Sequence, residues 1–271
     1  NVEADTLLYC NQLKVNYSLN PITLIRRGFE IEEITLQGAR VNVLTAEETF
    51  KNNFDLIMER LFPPDTSAVR VKRKPFHLDI DKVNLYDVHF YKEDNVKGKI
   101  LSIYLTEGIL DIEEFNLPNK RIIINTADFI APAVRIEEFF GKPAPGHDPW
   151  AQTVSIQDTT ISDSTLIEPD RFLLQVHSFY VESGKFKLDH FRKSPVKLTP
   201  TDILDYKHME VFDIQVEIDS FSYDEEAFKG RVNKIALKDI SGFELNKLAG
   251  KEVTVSSTKT EINGLEIITP Y

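Results

Sequence analysis

Four residues close together in the sequence are of the types that bind metal ions. His77, Asp79 and Asp81 occupy every second position, and His89 follows further along. Imidazole and carboxylate groups that alternate along a strand face the same side, so they are candidate metal ligands. The intervening residues are apolar, namely Phe76, Leu78 and Ile80. Because this alternation is equally typical of a strand whose polar face meets solvent, we expect a solvated surface here, without a metal or another cofactor.

No familiar catalytic motif occurs in the chain. There is no G-x-S-x-G, Walker loop, G-x-G-x-x-G, H-E-x-x-H or C-x-x-C sequence. The remaining candidates for acid–base chemistry are the acidic pairs Glu32-Glu33, Glu113-Glu114 and Glu137-Glu138. Each pair has the setting of a turn or a helix start, which favours a charged surface over a catalytic site. We therefore predict a protein that is not an enzyme.

The composition disfavours several classes of function. The chain of 271 residues carries a formal net charge of -11, and nucleic-acid binding requires a basic surface instead. The same charge disfavours adsorption to anionic lipid headgroups. The single cysteine, Cys10, excludes an intrachain disulfide, and no apolar run is long enough to span a membrane. Both ends look cut, so we expect a processed chain or a piece of a longer protein.

The main structural signal is a set of apolar residues that recur at the same offsets. Gaps of two residues are typical of a strand, because successive side chains point to opposite faces of a sheet. Gaps of three keep the apolar side chains on one face across a two-residue turn or a bulge. The recurring sets are Ile31, Ile34, Leu36, Ala39, Val41 and Val43; Ile80, Val83, Leu85, Val88 and Phe90; Val176, Phe179, Val181, Phe186 and Leu188; and Val232, Ile235, Leu237 and Ile240.

These sets predict short hairpins in series, each with one apolar face. Three intervening pairs suit the turns, namely Gln37-Gly38, Tyr86-Asp87 and Lys238-Asp239, whereas Glu32-Glu33 suits either a bulge or a strand end. We therefore predict a mainly β protein, an elongated and curved antiparallel sheet that forms a groove. With about 16 strands spaced about 4.8 Å apart, such a sheet would be about 75 Å long. The alternative that the pattern leaves open is a closed sandwich, whose strands enclose their own core.

Helix and linker signals divide the chain into three segments. Thr45 and Glu48 form a capping box, and the apolar spacing after them predicts one amphipathic helix from Thr45 to Phe62. A short helix is also expected near Glu244 to Leu248. We expect N-terminal strands and the capping helix in residues 1–62, a first β-repeat segment in residues 63–143 and a second in residues 144–271. The breaker-rich stretch at 141–150 marks the boundary, across which the sheet could still be continuous.

Several strand-like stretches carry a resemblance to a known family. They are residues 5–17 (DTLLYCNQLKVNY), 34–43 (ITLQGARVNV), 74–85 (KPFHLDIDKVNL), 240–245 (ISGFEL) and 260–270 (TEINGLEIITP). In these stretches the chain resembles the AsmA-like family, and within it the TamB type of translocation and assembly module subunit. The resemblance implies a periplasmic β-sheet groove with a hydrophobic lining, tethered to the inner membrane by a helix outside this chain. It also implies a role in carrying phospholipid towards the outer membrane and in supporting outer-membrane protein assembly.

The resemblance and the apolar pattern together lead to one functional expectation. Phospholipid acyl chains would lie in the groove, and an outer-membrane barrel-assembly protein would be a second partner. The alternative is a closed β-sandwich scaffold for protein–protein interaction in the cell envelope. The candidate residues that line the groove are Leu36, Val41, Val83, Leu85, Phe90, Phe179, Val181, Phe186, Leu188, Ile218, Phe221, Ile235 and Leu237.

Overall fold

The chain folds mainly into β-strands that belong to one sheet. A computed structural model describes residues 7–17, 29–45, 52–54, 56, 78–116, 119–142, 172–194 and 204–271. Within these residues the strands are β1 (Leu8–Tyr9), β2 (Gln12–Tyr17), β3 (Phe29–Gln37), β4 (Arg40–Thr45), β5 (Leu78–Ile80), β6 (Lys82–Asp94), β7 (Lys99–Asn116), β8 (Arg121–Ile130), β9 (Ala133–Glu138), β10 (Leu173–His190), β11 (His208–Tyr223), β12 (Ala227–Asp239), β13 (Glu244–Ser256), β14 (Thr260–Asn263) and β15 (Glu266–Ile268). The predicted β class is confirmed.

Several of these strands lie end to end, so the sheet is narrower than the number of strands indicates. β3 and β4, for example, pair with β6 in one register, in which Ile34 is opposite Val83 and Val41 is opposite Phe90. Four other pairs of strands also lie end to end, namely β1 and β2, β5 and β6, β8 and β9, and β14 and β15. The path across the sheet therefore has ten strand positions. Nine steps of about 4.8 Å give about 43 Å, which is shorter than the predicted sheet.

The sheet is mixed, and the prediction of a purely antiparallel series of hairpins is wrong. β3 and β4 run parallel to β6, and β8 and β9 run parallel to β10. In both cases a long stretch of chain, residues 46–77 or 139–172, separates the paired strands. A connection of that length allows the chain to cross back and enter the sheet in the same direction, which a two-residue turn does not allow.

A line of residues with left-handed backbone crosses the sheet between neighbouring strands. It consists of Gly38 (φ 62°), Asp87 (φ 54°), Ala131 (φ 48°), Ser183 (φ 56°) and Asp213 (φ 51°). Their positions match, since Gly38 N donates to Tyr86 O at 2.9 Å and Ala131 N donates to Glu182 O at 2.8 Å. We call this set the bulge line. Gln37-Gly38 and Tyr86-Asp87 are therefore not hairpin turns as predicted, and Lys238-Asp239 ends β12 before a turn at residues 240–243.

Further irregularities lie about six residues towards the other end of the strands. The register between β2 and β3 shifts at Glu32, so of the two alternatives for Glu32-Glu33 the structure has the bulge and not the strand end. The register between β7 and β8 shifts near Glu113, and Ser220 in β11 has a φ of 53° beside another shift. A bulge adds a residue to one strand and bends it locally. The strands are thus interrupted at two levels instead of being divided into separate hairpins.

The helix predictions have different outcomes. The predicted helix from Thr45 to Phe62 lies mostly outside the described residues; Thr45 ends β4, and Leu56 N donates to Asn52 O at 3.2 Å. The short helix predicted at Glu244 to Leu248 is wrong, because that stretch begins β13 and pairs with β12. In the described part of the chain, no helix has the length and apolar character needed to cross a membrane. The predicted segment boundary, between residues 143 and 144, lies outside the described part of the chain. The strands before and after it, β9 and β10, pair directly with each other.

Candidate apolar face

Strand pairing aligns many of the predicted lining residues into two apolar rows that cross the sheet. Residues opposite one another in paired strands share a face, so the register identifies the members of each row. The first row is Ile34, Val83, Leu110, Ala127, Phe179, Ile218, Val232 and Gly250. The second row is Leu36, Leu85, Gly108, Phe129, Val181, Val216, Ile235 and Leu248. Neither row contains a polar side chain.

The remaining predicted lining residues lie on the same strands, beyond these two rows. Val41, Phe90 and Phe186 belong to a third row, which also contains Ile103, Val134 and Val211. Leu188 is opposite Ile136 and Met209, one step further along. Phe221 lies beyond the Ser220 bulge, opposite Val176, with its ring centroid 5.8 Å from that of Phe228. Leu237 follows Ile235 by two positions and is opposite Leu245.

Two glycines show that the rows on either side of the bulge line share one face. A Cβ atom built on Gly108 would lie 2.7 Å from Cδ2 of Leu105, and one built on Gly184 would lie 3.0 Å from Cγ1 of Val181. In a regular strand, residues three apart point to opposite faces. Here they point to the same face, because the bulge line adds one residue to the alternation. The apolar gaps of three in the sequence are the consequence.

This apolar face is open among the described strands. All thirteen predicted lining residues are half-buried, and no large side chain of the described residues is below 2% exposure. Each strand contacts only strands beside it in the sheet, so no second layer of described strands covers the face. The described strands therefore form a single open layer, which differs from the two facing sheets of a sandwich.

The opposite face is polar along the same strands. A row between the two apolar rows consists of Thr35, Asn84, Ile109, Asp128, Tyr180, Glu217 and Lys234. Asn84 is only 5% exposed, and its Nδ2 donates to Oε1 of Glu33 at 2.6 Å. Tyr180, in contrast, is 42% exposed. The sheet therefore separates an apolar face from a hydrated, hydrogen-bonded face.

The perturbed ionisable groups lie away from the apolar rows. Burial, and then a hydrogen bond from its hydroxyl to Glu93 at 2.8 Å, raise the pKa of Tyr91 to about 12. A hydrogen bond to Asp87 raises the pKa of Tyr104. The backbone N–H of Ala227, followed by the ammonium of Lys229, lowers the pKa of the Asp224 carboxyl. Burial and structural hydrogen bonds account for the pKa shift of Tyr91, and hydrogen bonds are the largest cause of the other two.

Only Asp81 and His89 of the candidate metal ligands have side chains in the described part of the chain. His77 lies outside the described residues, Asp81 is exposed, and Nε2 of His89 is 2.9 Å from Oγ of Ser102. Within the residues that the structure describes, no three His, Cys, Asp or Glu side chains are grouped as metal ligands. The pair Glu113-Glu114 lies inside β7 and the pair Glu137-Glu138 forms the end of β9, so neither pair is at a helix start.

Sequence reasoning missed the contributions of β7, β8 and β9 to the apolar face. The missed residues are Leu101, Ile103, Leu105, Leu110, Ile124, Ala127, Phe129 and Val134. Their signal is present, since Leu101, Ile103, Leu105, Gly108 and Leu110 follow the same gaps of two and three. In β7 the order of the gaps is reversed, because this strand runs antiparallel to β6. A search for the pattern in both directions would have found them.

No family model, curated protein or solved structure matches this chain. The resemblance to the AsmA-like family remains a prediction.

Proposed function

We propose that the apolar face is the inner surface of a trough that holds phospholipid acyl chains in the periplasm. The protein would be a segment of an AsmA/TamB-like bridge tethered to the inner membrane, and it would conduct lipid towards the outer membrane. The observation that carries this proposal is the pair of apolar rows that run from β3 to β13 without a polar side chain. Contiguous apolar surface of this kind on a soluble protein marks a binding surface.

The bulge line gives a physical reason for the trough shape. Each bulge bends its own strand, and bulges at matching positions bend neighbouring strands along one line. Val181 and the Cβ position of Gly184 approach within 3.0 Å on the apolar side, so the strand closes towards that side. The rows on the two sides of the line then become a floor and a wall. The axis of the trough runs across the strands, in the direction of the rows.

The energetics support transport along the rows better than tight binding at one place. Each methylene that leaves water for an apolar surface contributes about 0.8 kcal/mol, without a directional requirement. Successive strands present apolar side chains, such as Val83, Leu110 and Ala127, at intervals of about 4.8 Å. A lipid therefore meets nearly equivalent positions as it moves, and no hydrogen bond must be broken on the apolar surface.

Photo-crosslinking from two adjacent aromatic positions tests the proposal. Phe179 belongs to the first apolar row, whereas Tyr180 lies on the opposite face of the same strand. The crosslinking amino acid p-benzoylphenylalanine adds the same benzoyl group at either ring position, so the two variants are matched in size. We expect lipid adducts from position 179 and few or none from position 180 when the protein is expressed in a Gram-negative bacterium. Adducts only to protein at both positions, or equal lipid adducts at both, would count against the trough.

A second candidate function rests on the edges of the sheet. In the described part, β2 and β14 each have a neighbour on one side only, which leaves backbone groups available on the other side. Such an edge accepts an added strand from another protein, and an outer-membrane barrel-assembly protein is the expected partner. Replacement of Asn16 or Ile262 by proline would weaken this pairing, whereas it would leave lipid adducts at position 179 in place.

A further inference from the structure

The two rims of the sheet, formed by the strand ends and the turns, differ in composition. We call rim A the rim with residues 95–98, 139–142, 191–194, 204–207 and 240–243, and rim B the rim with residues 119–120, 224–226 and 257–259. The turns of rim A expose large apolar side chains, since Phe140 is 73% exposed, Tyr206 71% and Ile240 53%. At rim B the described turns contain no large apolar residue; Phe172, which precedes β10, is half-buried, and Phe228, 46% exposed, lies within β12. This difference requires an explanation beyond the lining of the trough.

Rim A is a continuous edge instead of a set of independent loops. Backbone hydrogen bonds join its turns to neighbouring strands and turns, from Phe139 N to Gly98 O (2.8 Å), Arg192 N to Glu138 O (3.2 Å), His190 N to Lys207 O (2.8 Å) and Ile240 N to Glu210 O (3.1 Å). The ring of Phe191 also packs against that of His208, with 5.1 Å between the centroids. The exposed apolar side chains of rim A are therefore attached to a backbone that hydrogen bonds hold in place.

The outward charge of rim A is positive, although the chain as a whole is acidic. Lys97, Lys142 and Lys193 in its turns are exposed. Carboxylates of the same rim face back towards the protein, where backbone N–H groups or basic side chains approach them. These contacts are Asp94 with Lys97 N (2.8 Å), Asp205 with Lys207 N (3.0 Å), Asp239 with Ser241 N (2.8 Å), and Glu138 with His190 Nδ1 (2.8 Å) and Arg192 Nη2 (3.4 Å).

Exposed aromatic side chains beside lysines are the combination that holds a protein at a membrane interface. Aromatic rings favour the level of the lipid headgroups, and lysines near an anionic surface are attracted to it. We propose that rim A docks on a bilayer surface that contains anionic phospholipid. Phe140, Tyr206 and Ile240 enter the boundary between headgroups and acyl chains, and the lysines contact lipid phosphates. The net charge of the chain predicts the opposite, but charges more than about 8 Å away are largely screened at physiological salt.

Vesicle flotation with matched charge reversals tests the proposed docking. The variant Lys142→Glu/Lys193→Glu alters rim A, and Lys120→Glu/Lys259→Glu makes the same change in net charge at rim B. We expect the wild type to float with phosphatidylcholine vesicles that contain phosphatidylglycerol, and the rim A variant to bind about tenfold more weakly or worse. The rim B variant should bind like the wild type. Equal binding by both variants, or a wild type that does not float, overturns the proposal; circular dichroism verifies that each variant is folded.

A depth measurement tests the apolar part of the contact and does not depend on lipid held in the trough. Phe140→Trp is placed in a Trp150→Phe background, so that the only tryptophan reports on rim A. We expect vesicles with brominated acyl chains to quench its fluorescence. Tyr180→Trp, on the polar face and in the same background, should not be quenched. A rim A tryptophan that is unquenched by these vesicles shows that the rim does not enter a bilayer, and a protein partner would then be the better explanation of its exposed rings.

Discussion

Asn84 shows how the polar face of the sheet is held at the level of single residues. Its amide is 5% exposed and donates to the Glu33 carboxylate at 2.6 Å, so Asn84→Ala removes a hydrogen bond to a charged group. We expect the free energy of unfolding to fall by about 1–3 kcal/mol. Urea denaturation measures the change. Asn246→Ala, at an exposed position of β13, is the matched control and should lie within about 0.5 kcal/mol of the wild type.

Tyr91 gives a pH dependence whose direction follows from its surroundings. Its pKa is raised from 10.0 to about 12, first by burial and then by the hydrogen bond to Glu93. The raised pKa means that the fold favours the neutral phenol. The resulting stability is fully present below pH 10 and is lost as the pH rises towards 12. Ultraviolet titration should show one tyrosine that ionises after the others in the wild type and that is absent in Tyr91→Phe. Ionisation of Tyr91 together with exposed tyrosines would contradict this account.

At the scale of the elements, Gly184 leaves room for β10 to bend beside the bulge line, because it has no side chain to meet that of Val181. A side chain at position 184 would meet Cγ1 of Val181 at 3.0 Å and Cβ of Ile214 at 3.2 Å. We therefore expect Gly184→Val to destabilise the protein by about 1–3 kcal/mol, despite the preference of valine for strands. Glu182→Val is the control, because it lies exposed on the other face of β10. Thermal denaturation of both variants measures the difference, and equal melting temperatures would show that this position is not crowded.

The same elements show what local sequence can predict about the fold. The alternation of Val83 and Leu85 identifies a strand with one apolar face, and the structure places them in neighbouring rows. The gap from Leu85 to Val88 does not identify what lies between, because a turn and a bulge both return the next apolar residue to the same face. The pair Tyr86-Asp87 has the residue types of a turn, yet β6 continues through it. Whether the chain forms a turn or a bulge at this pair depends on how it pairs with the strands on both sides. The local sequence does not determine that pairing.

Strand order and direction depend on the whole molecule, which is why the sequence predicted the face better than the sheet. Eleven of the thirteen predicted lining residues lie on strands that the recurring offsets identify directly, and the other two, Ile218 and Phe221, lie on β11. β6 lies parallel to β3, and β10 lies parallel to β8. Both arrangements depend on long connections, whose path the apolar pattern does not predict. Five pairs of strands that lie end to end also appear in sequence as separate strands. The predicted length was therefore too great, although the predicted polarity of the two faces agrees with the rows.

The dimensions of the sheet lead to a prediction about lipid stoichiometry. A bilayer core about 30 Å thick contains two acyl layers, so one chain spans about 15 Å, or about three strand spacings. Each row crosses eight strand positions, from β3 to β13, so its seven steps of about 4.8 Å span about 34 Å and accommodate about two acyl lengths. Because the rows offer nearly equivalent positions, we expect native mass spectrometry of the gently purified protein to show a distribution from zero to several phospholipids. Val83→Glu/Phe179→Glu, which places two charges in the first row, should shift that distribution towards zero, whereas Gln37→Glu/Tyr180→Glu, at exposed positions of the polar face, should not. A single species with one tightly bound lipid would show that the face contains one discrete pocket, and the sliding mechanism would then fail.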